Sequence, residues 1–581
     1  MFNQNGAEMW RKMLTENFNV TDSEKLNWVS EYASVHEIHE SALGVNGGAT
    51  LGAPVAPLYA NPMNTIGMGN PYAPAQMPTD STAPHAQGNL WNQTAGSGDI
   101  PVSTLPMALN VALLTIGLEL VPVVPAKGPW AMLSYMDFPY AGGKLSRVNE
   151  TSFDGKGEGN ENKPIYVKAT GVKLTDIKAL RDAGVKEGDD VTIDAFKGTF
   201  IGFGRMDGAP MFKVVECGAK SLREAFDAAE AIVFTRKTKN AESGAEEIVT
   251  VKNLAVAKES LVADFVQTSV DLVDGFANFA TGKKEAMTRA QNETGTGNVI
   301  GLRLFSKWIQ MGSYEVTGTV TRQQLQDLPL YGVDAVGKVM EALQNEITQH
   351  INARLLERVF ALGMTNAAKL KVTQGVDLNL YLGESGAGDV TLADMAGGTA
   401  VFTDIYNNDH SAATVTPVES GAGFENTATR QRRLSSRILA AANLIQTVGR
   451  RGRATWVVTN AQIASALQDC SGYVVAPMAN NMAQDGSQNL FLGGTLAGLK
   501  VYVDPYMSWD DTRICVGRKG DANSPGVIFM PYILADTVSI TAEGTMAPKM
   551  LVNSRYAIAE AGFFPEAMYY TFTARNDYGW I

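Results

Sequence analysis

Histidine and cysteine are scarce in this 581-residue chain: five of the first and three of the second. Cys217, Cys470 and Cys515 lie too far apart for a paired zinc site or a dense disulfide framework, which fits a reducing compartment. Only the cluster at 36–40, HEIHE, invites a metal reading. Its histidines are three apart, whereas a helical zinc-protease motif needs them four apart, so a solvated helix face is expected. Charge is also thin, 19% of residues with a net of -12, and a chain that grips phosphate backbones needs clustered Lys and Arg instead. The opening residues MFNQNGAEMWRK lack a basic region followed by an apolar core, so folding in a cytoplasm is expected.

Long uninterrupted apolar runs are missing as well. The longest candidate, 106–126, contains Glu119 in its middle and Pro122 and Pro125 where a spanning helix has to continue. A buried helix running into a core strand is expected there, with no membrane contact. Catalytic signatures are absent too. The chain has no Gly-x-Ser-x-Gly elbow and no Walker loop, and GFGRMDG and GTGNVIG lack dinucleotide spacing and read as turns. Asp510 and Asp511 read as a solvated pair in a polar turn. No catalytic residue, metal or cofactor is expected.

What is present is a long, segmented architecture with hydrophobic residues at 45%, enough for several domains. Residues 6–41 read as two helices, with Thr21 and Glu24 at capping-box spacing. From 44 to 101, Gly, Pro, Ala, Asn and Ser dominate, which predicts an arm that becomes ordered by lying on other chains. Short strands separated by turns fill 154–246, a β-rich insertion. A helical stretch is expected over 252–280. The strongest helix is expected over 335–362, with Asp334 as N-cap and Gly363 as stop. Val336, Met340, Leu343, Ile347, Ile351, Leu355 and Val359 form its stripe. His350 beside that stripe is expected to be a core or interface histidine.

A second amphipathic helix over 428–448 leads into a turn carrying Arg450, Arg451 and Arg453. Three readings of that turn stand: complementing the helix's last carbonyls, pairing with a neighbouring subunit's carboxylates, or touching nucleic acid. Asn460 is expected to cap a short helix. From 499 onward the pattern is mainly β.

Several collinear blocks over 118–560 resemble the major capsid proteins of T-even-like, contractile-tailed phages, whose fold is of the Hong Kong 97 type. They are LELVPVVPAKGPWAMLSYMDFPYAGG, the long helix with its lead-in from Leu302, IQTVGRRGRATWVVTNAQIASALQ, KVYVDPYMSWDDTRICVGRKG, and GVIFMPYILADTVSI through SRYAIAE. The resemblance implies an α+β fold with a spine helix, an axial domain, an extended loop, an N-terminal arm and a β-rich insertion. It divides the chain into a helical N-terminal segment (1–43), an extended arm (44–105) and the first part of a peripheral domain (106–153). An extended loop with the insertion follows (154–301), then the peripheral domain with its spine (302–365), the axial domain (366–505) and completing β segments (506–581).

By resemblance the chain self-assembles as hexamers and pentamers into an icosahedral or prolate head. That head would be assembled in the host cytoplasm and enclose double-stranded DNA without sequence-specific binding. Scaffold, portal, vertex and decoration proteins are the implied partners. Family members are often cut after a Glu with Leu or Ile two positions earlier, a pattern that Ile38, Glu40 and Ser41 fit. The expectation is nevertheless that this segment is kept. An encapsulin-like nanocompartment shell protein and a paralogous vertex protein are the alternatives.

Overall fold

The computed structural model describes residues 4–17, 23–42, 108, 111–112, 115–139, 166–217, 222–239, 246–266, 300–328, 335–382, 390–391, 414–415, 426–475, 490–521, 524–541, 548–562 and 564–580. The fold is α+β, as expected. Helices α1 (Gln4–Asn17) and α2 (Ser23–Ala42) pack on each other. Trp28, Val29 and Tyr32 of α2 enter the main core, and Lys25 pairs with Glu119. Thr21 and Asp334, two of the caps expected from sequence, and the 44–105 arm up to its last residue lie outside the described residues. Ile116–Glu119 form a 3-10 turn, after which Val123 bridges to Phe529.

Strand β1 (Trp130–Asp137) precedes the insertion. That insertion comprises β2 (Tyr166–Thr170), α3 (Leu174–Asp182), β3 (Asp190–Ile193), β4 (Phe196–Phe203), β5 (Pro210–Cys217), α4 (Leu222–Asp227), β6 (Ala231–Lys239), β7 (Glu246–Ala255) and β8 (Val262–Phe265). Its strands form one antiparallel sheet in the order β7-β6-β3-β4-β5-β2-β8. Phe196, Phe200, Phe212, Phe226 and Phe234 fill a core of its own. The helix expected over 252–280 is not found in the described part, where residues 252–255 and 262–265 are strand. Pairing with β6 and β2 overrides a local pattern that short apolar runs leave ambiguous.

After the insertion come β9 (Arg303–Gln310), β10 (Gly312–Thr319), α5 (Arg322–Asp327) and the spine α6 (Ala335–Gln374). At 1.5 Å per residue the spine is about 60 Å long. Leu343, Ile347, Ile351, Leu355 and Val359 form its buried stripe, as the spacing predicts. Gly363 is not the stop. Its missing side chain admits Thr571, whose backbone N would lie 2.9 Å from an added Cβ, and the helix continues to Gln374. Gly375, at φ +69, ends it in the left-handed conformation glycine tolerates.

The remaining elements are β11 (Leu380–Leu382), β12 (Val390–Thr391), β13 (Thr414–Val415), α7 (Thr427–Gly449), β14 (Trp456–Thr459), α8 (Ala461–Gln468), β15 (Tyr473–Val475), β16 (Phe491–Leu496), β17 (Leu499–Val503), β18 (Arg513–Gly517), β19 (Gly526–Thr541), β20 (Pro548–Ala561) and β21 (Tyr569–Asn576). A seven-stranded mixed sheet in the order β11-β21-β18-β14-β17-β16-β15 packs against α6, α7 and α8. Asn460 caps α8 as expected, accepting from the Ile463 N–H at 2.9 Å. Beside the spine, β10, β20 and β19 make a long three-stranded sheet.

Candidate assembly surfaces

Among the described residues, strands β1 and β9 pair only with each other, in antiparallel register from Trp130↔Gln310 to Asp137↔Arg303. Because side chains alternate along a strand, their sequence divides into two faces. Leu133 and Ile309 point inward and pack with Ala126, Met311, Ile528, Met530, Ala557, Ala559 and Ala561, and Tyr135 on the same face is buried as well. The opposite face is equally apolar and open to solvent. Trp130 is 58% exposed, Met132 55%, Met136 49%, Leu304 63% and Trp308 67%, with Met132 opposite Trp308 and Met136 opposite Leu304. Phe138, Ile300 and Leu302 extend the exposed apolar surface where the two strands leave for the insertion.

An aromatic side chain carries roughly 200 Å² of surface, so the two tryptophans alone leave about 250 Å² uncovered. With the methionines and leucines the patch exceeds the few hundred Å² at which exposed apolar surface marks an interaction site. A two-stranded ribbon is marginal in water by itself. This one is held down by its inner face and keeps its outer face for something else.

A second exposed aromatic pair, Tyr506 and Trp509, stands on the loop between β17 and β18. Asn460 fastens that loop, its Nδ2 donating to the carbonyls of Ser508 at 3.3 Å and Trp509 at 2.9 Å. Asp511 beside it, expected from the sequence to be solvated, is not. It is buried and receives Arg513, whose Nε lies 2.8 Å and Nη2 2.5 Å from its oxygens. A carboxylate beside an arginine two residues along a strand start was the available signal.

The arginine turn is placed on the body. Arg450 caps α7 in the left-handed conformation at φ 51, its N–H donating to Gln446 O at 3.0 Å. Arg451 lies 6.0 Å from the Tyr135 ring of the ribbon's inner face, and Arg453 is half-buried. Glu40 and Ser41 lie near the end of α2. His350 is stacked on Tyr314, ring centroids 3.4 Å apart, in an open cleft that also holds Arg354, Arg358 and Tyr556. Burial and then the Arg354 charge lower its pKa, which favours the neutral, stacking imidazole. Among the described residues no group of His, Cys, Asp and Glu could hold a metal, and no helix is long and apolar enough to cross a membrane.

The joint between insertion and body went unread in the sequence. The turn at 204–208, GRMDG, is a plug. Met206 enters the main core, Gly208 (φ +65) leaves only 2.6 Å between an added Cβ and Thr373 of the spine, and Gln374 Nε2 donates to Arg205 O at 2.6 Å. Asp207 is fully buried and meets Lys168 at 3.2 Å. Lys369 of the spine, buried against Glu566 at 2.5 Å, adds its charge to the same carboxylate. Burial pushes the Asp207 pKa up, but Lys168, the Ala209 N–H and Lys369 outweigh it and hold it below the usual range.

A family model described as "Major capsid protein Gp23" matches residues 103–578. The "Major capsid protein" of Serratia phage KSP90 is 33% identical over 126 residues, 21% of this chain and 28% of that protein. That of Salmonella phage ViI is 32% identical over 126 residues, with the same two shares. The aligned part of the chain thus spans less than a third of either relative's length. A solved capsid structure of the cyanophage P-SCSP1u matches at 10% identity and a TM-score of 0.29, covering 51% of this chain and 81% of that one. So loose a superposition carries no functional argument.

Proposed function

Because this chain belongs to the Gp23 major capsid protein family, we propose that it is the shell-building subunit of a tailed-phage head and that its β1–β9 ribbon is the arm by which one copy holds the next. Its role is structural, not catalytic. The observation that carries this reading is the ribbon's outward apolar face, Trp130, Met132, Met136, Leu304 and Trp308, which nothing in the same chain covers among the described residues. A shell of identical chains needs heterologous contacts, one patch meeting a different patch on the neighbour, repeated around each ring. A ribbon anchored on one face and greasy on the other suits that demand.

Within this reading the chain forms hexamers and pentamers of a closed virion capsid assembled in the host cytoplasm. The shell encloses double-stranded DNA without reading its sequence, and scaffold, portal, vertex and decoration proteins attach to it. The segments 1–43, 44–105, 106–153, 154–301, 302–365, 366–505 and 506–581 take the arm, loop, peripheral and axial roles the resemblance implies. The segment through Glu40 and Ser41 is retained, and Arg450, Arg451 and Arg453 lie near a subunit boundary. The matched family is that of the major capsid protein, which favours this reading over the encapsulin-like and vertex-protein alternatives.

The test is a double substitution, Met132→Lys with Trp308→Glu, on the exposed face. Electron microscopy of the expressed chain should show shells, tubes or rings for the parent and dispersed, folded subunits for the variant. Undiminished particles from the variant would remove the ribbon from the assembly mechanism.

A further inference from the structure

The cleft in which His350 stacks on Tyr314 has a volume of about 530 Å³ and lies between α6 and the paired strands β10 and β20. Its lining is aromatic, with Tyr556 turned edge-on to the His350 ring at a centroid distance of 6.4 Å. Neither tyrosine hydroxyl nor the imidazole makes a hydrogen bond among the described residues. The arginines of its wall are already matched: Arg354 pairs with Glu357 at 3.0 Å, and Arg358 pairs with Glu560. Ring faces and neutral donors are therefore what the cleft offers a ligand. Burial and then the Glu346 charge raise the pKa of Tyr314 and of Tyr506 alike, which places the exposed Tyr506–Trp509 loop alongside and extends the aromatic surface.

A surface of this kind suits a polyproline II strand. That conformation makes no internal hydrogen bonds, so its carbonyls stay open to donors, and with three residues per turn a Pro-x-x-Pro spacing brings both prolines to one edge, against aromatic faces. The chain carries two such motifs, Pro54-Val55-Ala56-Pro57 and Pro71-Tyr72-Ala73-Pro74, both in the 44–105 arm. Residues 41–79 contain no Asp, Glu, Lys or Arg, so an uncharged segment meets a cleft whose charges are paired within its own walls. Helix α2 ends at Ala42, and the stretch from there to Pro54 spans about 40 Å when extended. A tether of that length holds the motifs at an effective concentration of the order of 1 mM, so a contact with a Kd of about 0.1 mM is about nine-tenths occupied within one chain.

We propose that the arm segment Pro54–Pro74 docks as a polyproline II strand in the Tyr314–His350–Tyr556 cleft of its own chain. The contact lays the arm along the spine of the free subunit, before any neighbour is present. It stands apart from the ribbon's role in assembly, so either can fail without the other.

The photo-cross-linking residue p-benzoylphenylalanine is placed at Glu357, a wall position whose side chain is 69% exposed. Dilute full-length subunits, isotopically heavy and light chains mixed, are irradiated and the products are mapped by mass spectrometry. Cross-links from position 357 to residues 50–79 of the same chain are expected. Replacing Pro54, Pro57, Pro71 and Pro74 together by alanine should weaken docking tenfold or more and cut the yield to about half or less. Gly312→Leu should do the same from the other side. Gly312 shares the Tyr314 face of β10, and an added Cβ meets only the Tyr556 carbonyl oxygen at 3.6 Å, so the larger side chain fills the cleft without a clash. A parent-like Tm for Gly312→Leu separates a blocked cleft from a damaged fold, and the proline variant gives the same reading with the cleft untouched. Absence of cross-links to 50–79, a yield unchanged in the proline variant or in a folded Gly312→Leu chain, or cross-links formed only between heavy and light chains would overturn the proposal.

Discussion

Replacing Trp308 by alanine separates the stability of the subunit from the strength of its proposed contact. The side chain is 67% exposed, so of roughly 200 Å² about 130 Å² remains for a neighbour to cover. At about 25 cal/mol per Å² that is about 3 kcal/mol per contact, an upper figure because association also costs ordering entropy. A tenfold change in an equilibrium constant takes about 1.4 kcal/mol, so the concentration at which shells form should rise by roughly 100-fold. The isolated subunit, losing only its cross-strand contact with Met132, should shift by about 0.5 kcal/mol. Light scattering against protein concentration gives the first quantity and thermal denaturation of dissociated subunits the second. An unchanged assembly threshold, or a threshold that moves only as far as subunit stability does, would refute the assignment of this face to a neighbour.

Two further outcomes concern the joints. Asp207→Asn leaves Lys168 buried without its counter-charge and should destabilise the chain by about 3 kcal/mol, while the paired change Lys168→Met with Asp207→Leu should recover much of the loss, both read by chemical denaturation. Glu119 is half-buried, which raises its pKa, but the Lys25 charge and hydrogen bond and the Tyr502 hydroxyl at 2.8 Å outweigh that and leave it below the ordinary 4.5. Its contribution is therefore complete above that value and lost as pH falls through the lower folded-state value. Hydrogen exchange in residues 23–34 should accelerate there in the parent, and a Lys25→Met chain should show no such pH step.

The sequence carried the fold at the level of elements whose pattern is local. The stripe of α6 and the Asn460 cap are both written in residues three or four apart, and both are where the spacing puts them. The end of α6 is not local: Gly363 looks like a stop until Thr571, 208 positions later in sequence, takes the space its side chain would fill. The ribbon escaped for the same reason. Trp130 and Trp308 share one face only because β1 and β9 pair across the whole insertion, and nothing in either strand names the other. The plug escaped because GRMDG is a plausible turn. Only the buried partners Lys168, Lys369 and Glu566, drawn from three distant segments, turn Asp207 from a solvated residue into a fastening.

The most direct measurement is hydroxyl-radical footprinting of tryptophan in assembled particles against dissociated subunits. The account predicts that Trp130 and Trp308, open in the subunit, become several-fold less reactive in the particle, while buried Trp456 stays unreactive in both. Equal oxidation of Trp130 and Trp308 in the two states would show that no neighbour covers the ribbon and would contradict the account.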